Sequence, residues 1–121
     1  MPFVRLETSV DLAPADRSDL LHAIIACTAE ALTVPPETCR ASYARTAATD
    51  GVIGTGTNEP WIIAYAHLKA GRSADRKHAF TDALFDLLAA RLGVARSSLR
   101  ILISDYAPED WNNGGDVVTL R

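Results

Sequence analysis

The chain repeats itself. Leu32, Val34 and Arg40 recur as Leu92, Val94 and Arg100, each displaced by 60 residues. Leu20 and Ile24 fall on Phe80 and Leu84 at the same displacement. Ala15-Asp16-Arg17 returns as Ala74-Asp75-Arg76, one residue out of step. Self-similarity at a fixed spacing means one supersecondary unit used more than once. Whatever this chain folds into must therefore be built from two like halves.

Each half reads strand, helix, strand. Phe3–Thr8 alternates with period two, and Val4 and Leu6 share a face. Pro14 suits the first turn of a helix, where Asp16 and Asp19 favour the positive end. Leu20, Leu21, Ile24, Ile25, Thr28 and Leu32 make its apolar stripe, and Pro35-Pro36 cannot continue it. Arg40–Arg45 predicts a second strand, and Thr46–Pro60, rich in Gly, Thr and Ala, predicts a long loop. Trp61–Lys69 is the strongest strand, apolar on both faces, which predicts cover on both.

After the turn Ala70-Gly71-Arg72, Ser73 caps a second helix with the stripe Phe80, Leu84, Leu87, Leu88 and Leu92, and Gly93 stops it. Arg100–Asp105 predicts the fourth strand. Beyond Ala107-Pro108 come Trp111 and Asn112-Asn113-Gly114-Gly115, then a short strand over Asp116–Leu120.

A crossover helix makes the two strands of each unit parallel. The predicted fold is thus α/β: a four-stranded mixed sheet with two helices on one face, plus a short C-terminal strand. All of 1–121 forms one domain, with pseudo-repeats 2–45 and 61–105 and a C-terminal hairpin 106–121. The other sheet face carries Phe3, Trp61, Ile63 and Tyr65, or else their even-numbered neighbours. Self-association is its simplest cover.

Composition narrows the partners. A net charge of −3 provides no global field for nucleic acid, so any anion site must be local. No apolar run approaches the roughly 20 residues of a membrane span, and charges at Arg5 and Glu7 break any signal-peptide pattern. Cys27 and Cys39 lack metal-ligand spacing and read as buried free thiols in a reducing compartment, with the cytoplasm as the expected location. His22, His67 and His78 do not cluster, so no metal is expected. Gly114-Gly115 reads as a hairpin turn, since no Lys-Ser/Thr follows to make a phosphate cradle.

The candidate for chemistry is Pro2. It follows Met1, and trimming of Met1 would leave a secondary amine anchored at the start of a strand. Burial and nearby cations both disfavour a protonated amine. A free α-amine titrates near about 7.7–8.0, so a modest fall leaves it neutral and able to act as a base.

With this pattern the chain resembles the tautomerase superfamily, β-α-β repeats around an N-terminal proline. Gly71-Arg72-Ser73, Leu99-Arg100-Ile101-Leu102-Ile103 and Trp111 before its glycine-rich hairpin resemble a 4-oxalocrotonate tautomerase subunit. The two-unit length resembles the fused members, such as 5-carboxymethyl-2-hydroxymuconate isomerase and macrophage migration inhibitory factor. The resemblance implies a homotrimer with sheets packed inward and no cofactor. It also implies Pro2 as general base, with Arg72, Arg40 and Arg100 as carboxylate-binding arginines.

By the same resemblance Lys69 falls where the dehalogenase members carry a second arginine, and Trp111 forms a pocket wall. The chain departs from the migration inhibitory factor at Val34, Leu102 and Ser104. It departs from the dehalogenase at Thr28-Ala29 and from the decarboxylase near Thr38.

The expected activity is keto-enol tautomerisation of a small carboxylated enol or 2-oxo acid. The alternatives are a malonate-semialdehyde-decarboxylase-like decarboxylase or hydratase using the same proline, and a non-catalytic trimeric binding or signalling domain.

Overall fold

The structure, a computed structural model, describes residues 2–114 and 116–117. Met1, Gly115 and the predicted strand beyond Val117 lie outside the described residues. The elements run β1 (Phe3–Thr8), α1 (Pro14–Leu32), β2 (Arg40–Arg45), β3 (Ile62–Lys69), α2 (Ala74–Leu92), β4 (Arg100–Tyr106), β5 (Asn112–Asn113) and β6 (Asp116–Val117).

The 60-residue displacement survives folding. Both long helices have 19 residues, starting at Pro14 and Ala74. The 3₁₀ turns Pro36–Thr38 and Ala48–Asp50 recur as Arg96–Ser98 and Pro108–Asp110.

The main sheet has the order β2-β1-β3-β4. β1 with β2 and β3 with β4 are parallel, as a crossover helix demands, and β1 meets β3 antiparallel. The two halves are therefore joined head to tail. The start of β1 lies beside the ends of β3 and β4, and the start of β3 beside the end of β1. β5 and β6 pair antiparallel as a separate hairpin.

Alternation assigns the faces. Val4 and Leu6 of β1 and Ile62, Ala64, Ala66 and Leu68 of β3 are buried against Leu20, Ile24 and Leu32 of α1 and Phe80, Leu84 and Leu88 of α2. The opposite face carries Phe3, Arg5, Ile63, Tyr65 and His67, all half-buried, and Leu102, which is 53% exposed. On that face the guanidinium of Arg5 lies 4.5 Å from the Tyr65 ring centroid. Trp61, read as the first strand residue, stands just outside β3, while β4 gains Tyr106, whose carbonyl accepts from Ala70 N–H at 2.8 Å.

The helix ends follow their residues. Ser73 Oγ accepts from Arg76 N–H at 3.2 Å, and Gly93 closes α2 with φ 67°. α1 has Ala13 at its start without a side-chain cap, and Thr33 takes the left-handed position, φ 55°. Cys39 is buried and Cys27 only half-buried, and both are free thiols. Among the described residues no helix is long and apolar enough to cross a membrane.

Candidate active site

The antiparallel join decides which side chains share an end of the sheet. Pro2 precedes β1 and is fully buried, and its carbonyl accepts from Arg40 N–H at 2.9 Å. Register then sets Phe3 opposite Arg40 on one side and His67 on the other. The ends of β3 and β4 follow, with Lys69 opposite Tyr106. Five of the six residues singled out from sequence, namely Pro2, Arg40, Lys69, Arg72 and Trp111, thus gather at one end.

Arg72 is the best-placed cation there. It is half-buried in the turn before α2, and Nη1 donates to the Lys69 carbonyl at 3.0 Å. Burial lowers its pKa, and the Arg76 guanidinium pushes the same way; Asp105 and Cys39 act in the opposite sense. Asp105 is itself engaged by Lys77 Nζ. An arginine keeps its proton throughout the working range of an enzyme, so this is a standing positive charge at the Pro2 end of the sheet. Arg40 is exposed on the open face, and Lys69 is half-buried.

An aromatic string closes the same end. The Phe3 and His67 rings stack with centroids 5.7 Å apart, and His67 Nδ1 lies 2.7 Å from Tyr106 Oη. Trp111, which follows the Pro108–Asp110 turn, meets Tyr106 edge-on at 5.4 Å. Sequence reading missed His67 and Tyr106 as a pair. They stand 39 residues apart, and only the β3–β4 pairing brings them together.

Arg100 goes elsewhere. It starts β4 opposite Ile63, which itself faces Glu7 near the end of β1, so it lies at the far end of the sheet from Pro2. Its Nη1 donates to the carbonyls of Ser97 and Leu99. It lines a hollow of about 90 Å³ with Glu59, Trp61 and Ile62. A larger hollow of about 320 Å³ opens nearby under the 47–60 loop, but its lining from Ser9 to Trp61 contains Glu59 and no cationic side chain.

That far end is the repeat's counterpart of the Pro2 end. Sixty residues on from Pro2 stands Ile62, an ordinary strand residue with an amide nitrogen. Lys69, Arg72 and His67 have Ser9, Leu12 and Glu7 as counterparts. Trp111 corresponds to Gly51, and Trp61 fills the room it leaves: a Cβ on Gly51 would lie 2.9 Å from Trp61 Cε3. Trp61 is pinned there by its Nε1–H to Glu7 at 2.9 Å. The arginine of Arg40 is kept at the far end as Arg100, but the candidate amine and the cations Lys69 and Arg72 have no like counterpart there, although the backbone is duplicated.

Among the described residues no group of three or more His, Cys, Asp or Glu is placed to hold a metal ion.

Comparison with known proteins agrees with this architecture. The profile of a family described as "Tautomerase enzyme" matches residues 38–114. A fused 4-OT wild-type asymmetric trimer is 26% identical, with a TM-score of 0.88 over 96% of this chain and 95% of that one. The macrophage migration inhibitory factor of Toxoplasma gondii is 20% identical, with a TM-score of 0.78 over 95% and 98%. A malonate semialdehyde decarboxylase inhibited by 3-bromopropiolate is 24% identical, with a TM-score of 0.75 over 91% and 87%. The last two likenesses show the shared fold alone. No curated protein sequence matches the chain.

Proposed function

Because the chain belongs to the tautomerase enzyme family, we propose that it is a cofactor-independent tautomerase acting on a small carboxylated enol or 2-oxo acid. The observation that carries this reading is the one-sided equipment of a duplicated fold. Pro2 is buried at the end of the sheet that carries Lys69 and Arg72, whereas the matching positions of the other end are Ile62, Ser9 and Leu12, and only the arginine of Arg40 is kept there, as Arg100.

The mechanism follows from those groups. With Met1 removed, the Pro2 nitrogen is a secondary amine. Its burial and the positive charges at the same end of the sheet favour the neutral form. It takes a proton from the substrate, the C–H or O–H electron pair moves into the conjugated system, and the same nitrogen returns the proton at another atom. Arg72 binds the carboxylate and steadies the negative charge without giving up its own proton. Arg40 and Lys69 add cationic reach at the mouth, and Trp111 walls it.

We further propose a homotrimer, with the open sheet faces turned inward over Tyr65 and Leu102. In support, the fused 4-OT is a trimer by description, and an exposed Leu102 beside half-buried aromatics suits a covered face. In such an assembly Arg100 serves a neighbour's Pro2 end. Free thiols fit a reducing cytoplasm.

The test is an N-terminal mass together with ketonisation of phenylenolpyruvate or 2-hydroxymuconate. Met1 is expected to be absent, and Pro2→Ala to lower the rate by about 10²–10⁴-fold. A retained Met1 makes Pro2 a tertiary amide and removes the base; wild-type rates in Pro2→Ala do the same. Release of carbon dioxide from malonate semialdehyde without ketonisation would mark a decarboxylase, and inertness towards all three compounds in an intact trimer a binding domain.

A further inference from the structure

We propose that His67 is a second catalytic group at the Pro2 end, hydrogen-bonding through Nε2 to the substrate oxygen that gains charge as Pro2 takes the proton, with Tyr106 as its positioning residue. The inference rests on the tautomerase reading above.

A 2-oxo acid presents two oxygen groups. Its carboxylate is negative throughout, and its keto oxygen becomes negative only as the carbon-bound proton leaves. The cations at this end suit the first. The second calls for a donor fixed in advance, because a donor aimed at developing charge acts without reorganising during the reaction.

His67 meets that need by position. Its ring stacks on Phe3, the residue covalently next to Pro2. Tyr106 Oη lies 2.7 Å from Nδ1. With the phenol hydroxyl donating to Nδ1, the neutral ring carries its proton on Nε2 and can donate there. Tyr106 is braced in turn by the Trp111 indole.

The repeat supplies independent support. At the opposite end the counterparts of His67 and Tyr106 are Glu7 and Thr46. Glu7 is an acceptor occupied by the Trp61 indole, not a donor. The pair therefore belongs to the proline end and is not demanded by the duplicated backbone.

The proton balance is simple. In ketonisation the enol O–H bond breaks, its proton goes to the Pro2 nitrogen and its electron pair stays as the enolate; in the reverse direction a C–H bond breaks to give the same enolate. His67 donates a hydrogen bond and keeps its proton, and Pro2 returns the proton to give product.

The experiment is steady-state ketonisation of phenylenolpyruvate by the full chain. His67→Phe, which retains a stacking ring, is expected to lower kcat by about 10²-fold with KM changed less than about threefold. His67→Gln, which restores a donor, is expected to recover part of that loss, and added imidazole to raise the rate of His67→Ala. Tyr106→Phe should cost about tenfold in kcat.

A His67→Phe enzyme within about threefold of wild-type kcat, beside an inactive Pro2→Ala, overturns the role of His67 and leaves the proline reading intact. Equal losses in His67→Phe and His67→Gln, accompanied by loss of the assembled mass on size-exclusion chromatography, would make the pair a packing element and overturn the proposal too. Full activity in Pro2→Ala would remove the reading on which it rests.

Discussion

Arg72 donates through Nη1 to the Lys69 carbonyl at 3.0 Å, tying the turn before α2 to the last residue of β3. The bond fixes the guanidinium at the Pro2 end, where Asp105, itself held by Lys77, offsets only part of its charge. A lysine keeps the charge but loses the planar fork. Arg72→Lys is therefore expected to lower kcat/KM for phenylenolpyruvate by about 10²-fold, while its melting curve stays close to that of wild type because the site is half-buried. Wild-type kcat/KM in this variant would show that Arg72 is not the carboxylate anchor.

The two thiols set an alkaline limit. Burial raises the pKa of Cys27, with Glu30 adding to it, and burial raises Cys39 despite the nearby Arg72. Burial likewise raises Tyr43. The sign is that of acids kept neutral by the fold. Their contribution to stability is complete below the ordinary thiol pKa of 9.0 and is lost as pH rises through the higher folded values. Labelling by iodoacetamide should thus be slow at pH 7.5, with a midpoint above 9.0 for both cysteines. The melting temperature should fall between pH 9 and 11, less steeply in a Cys27→Ala, Cys39→Ala, Tyr43→Phe variant, on the order of the thiol and phenol titration range. A labelling midpoint below the ordinary thiol value would contradict the burial argument.

Thr33 and Gly93 hold the same left-handed position at the two helix ends, with φ 55° and 67°. A β-branched residue is strained there by about 1–2 kcal/mol, and glycine is not. Thr33 keeps one compensation, accepting from Arg76 Nη1 at 2.9 Å at an exposed site. Thr33→Gly should raise stability by about 0.5–1 kcal/mol after the chain-entropy cost of glycine, read as a higher urea midpoint with an unchanged slope. Gly93→Thr should lower it by about 1–2 kcal/mol through φ alone, since nothing lies within 4 Å of the added Cβ. A destabilised Thr33→Gly would mean that the Arg76 contact outweighs the strain.

Much of this architecture is readable in the chain because helix stripes and stop residues are local signals. Leu20 and Phe80, or Gly93 and Pro35, announce themselves within a few positions of their neighbours. The grouping of Pro2 with Lys69 and Arg72 at one end of the sheet also needs β1 and β3 to run antiparallel. What stays hidden depends on pairing across it. Nothing near His67 points to Tyr106, 39 residues away. The choice of β1 and β3 as antiparallel central strands, which sends Arg100 to the opposite end, is set by the register of Phe3 on His67 and not by either segment alone. Trp61 reads as a strand residue by its alternation, yet its indole is drawn to Glu7 and onto Gly51.

The separation of Arg100 from Pro2 makes subunit exchange decisive. Within one chain the two stand at opposite ends of the sheet, with Phe3 and Glu7 of β1 marking the distance. If Arg100 serves chemistry at Pro2, it must reach the Pro2 end of another subunit. Pro2→Ala and Arg100→Ala should each be weak alone in phenylenolpyruvate ketonisation. In mixed assemblies of the proposed trimer, formed by co-refolding equal amounts, a site regains both groups when an Arg100→Ala subunit supplies Pro2 and a Pro2→Ala neighbour supplies Arg100. Random assembly in a cyclic trimer with one defined donor per site restores about one quarter of the sites, so activity should rise to about a quarter of wild type. Arg100→Ala at full activity on its own would remove Arg100 from the reaction, and a mixture no better than the two parents would show that no subunit lends it to another.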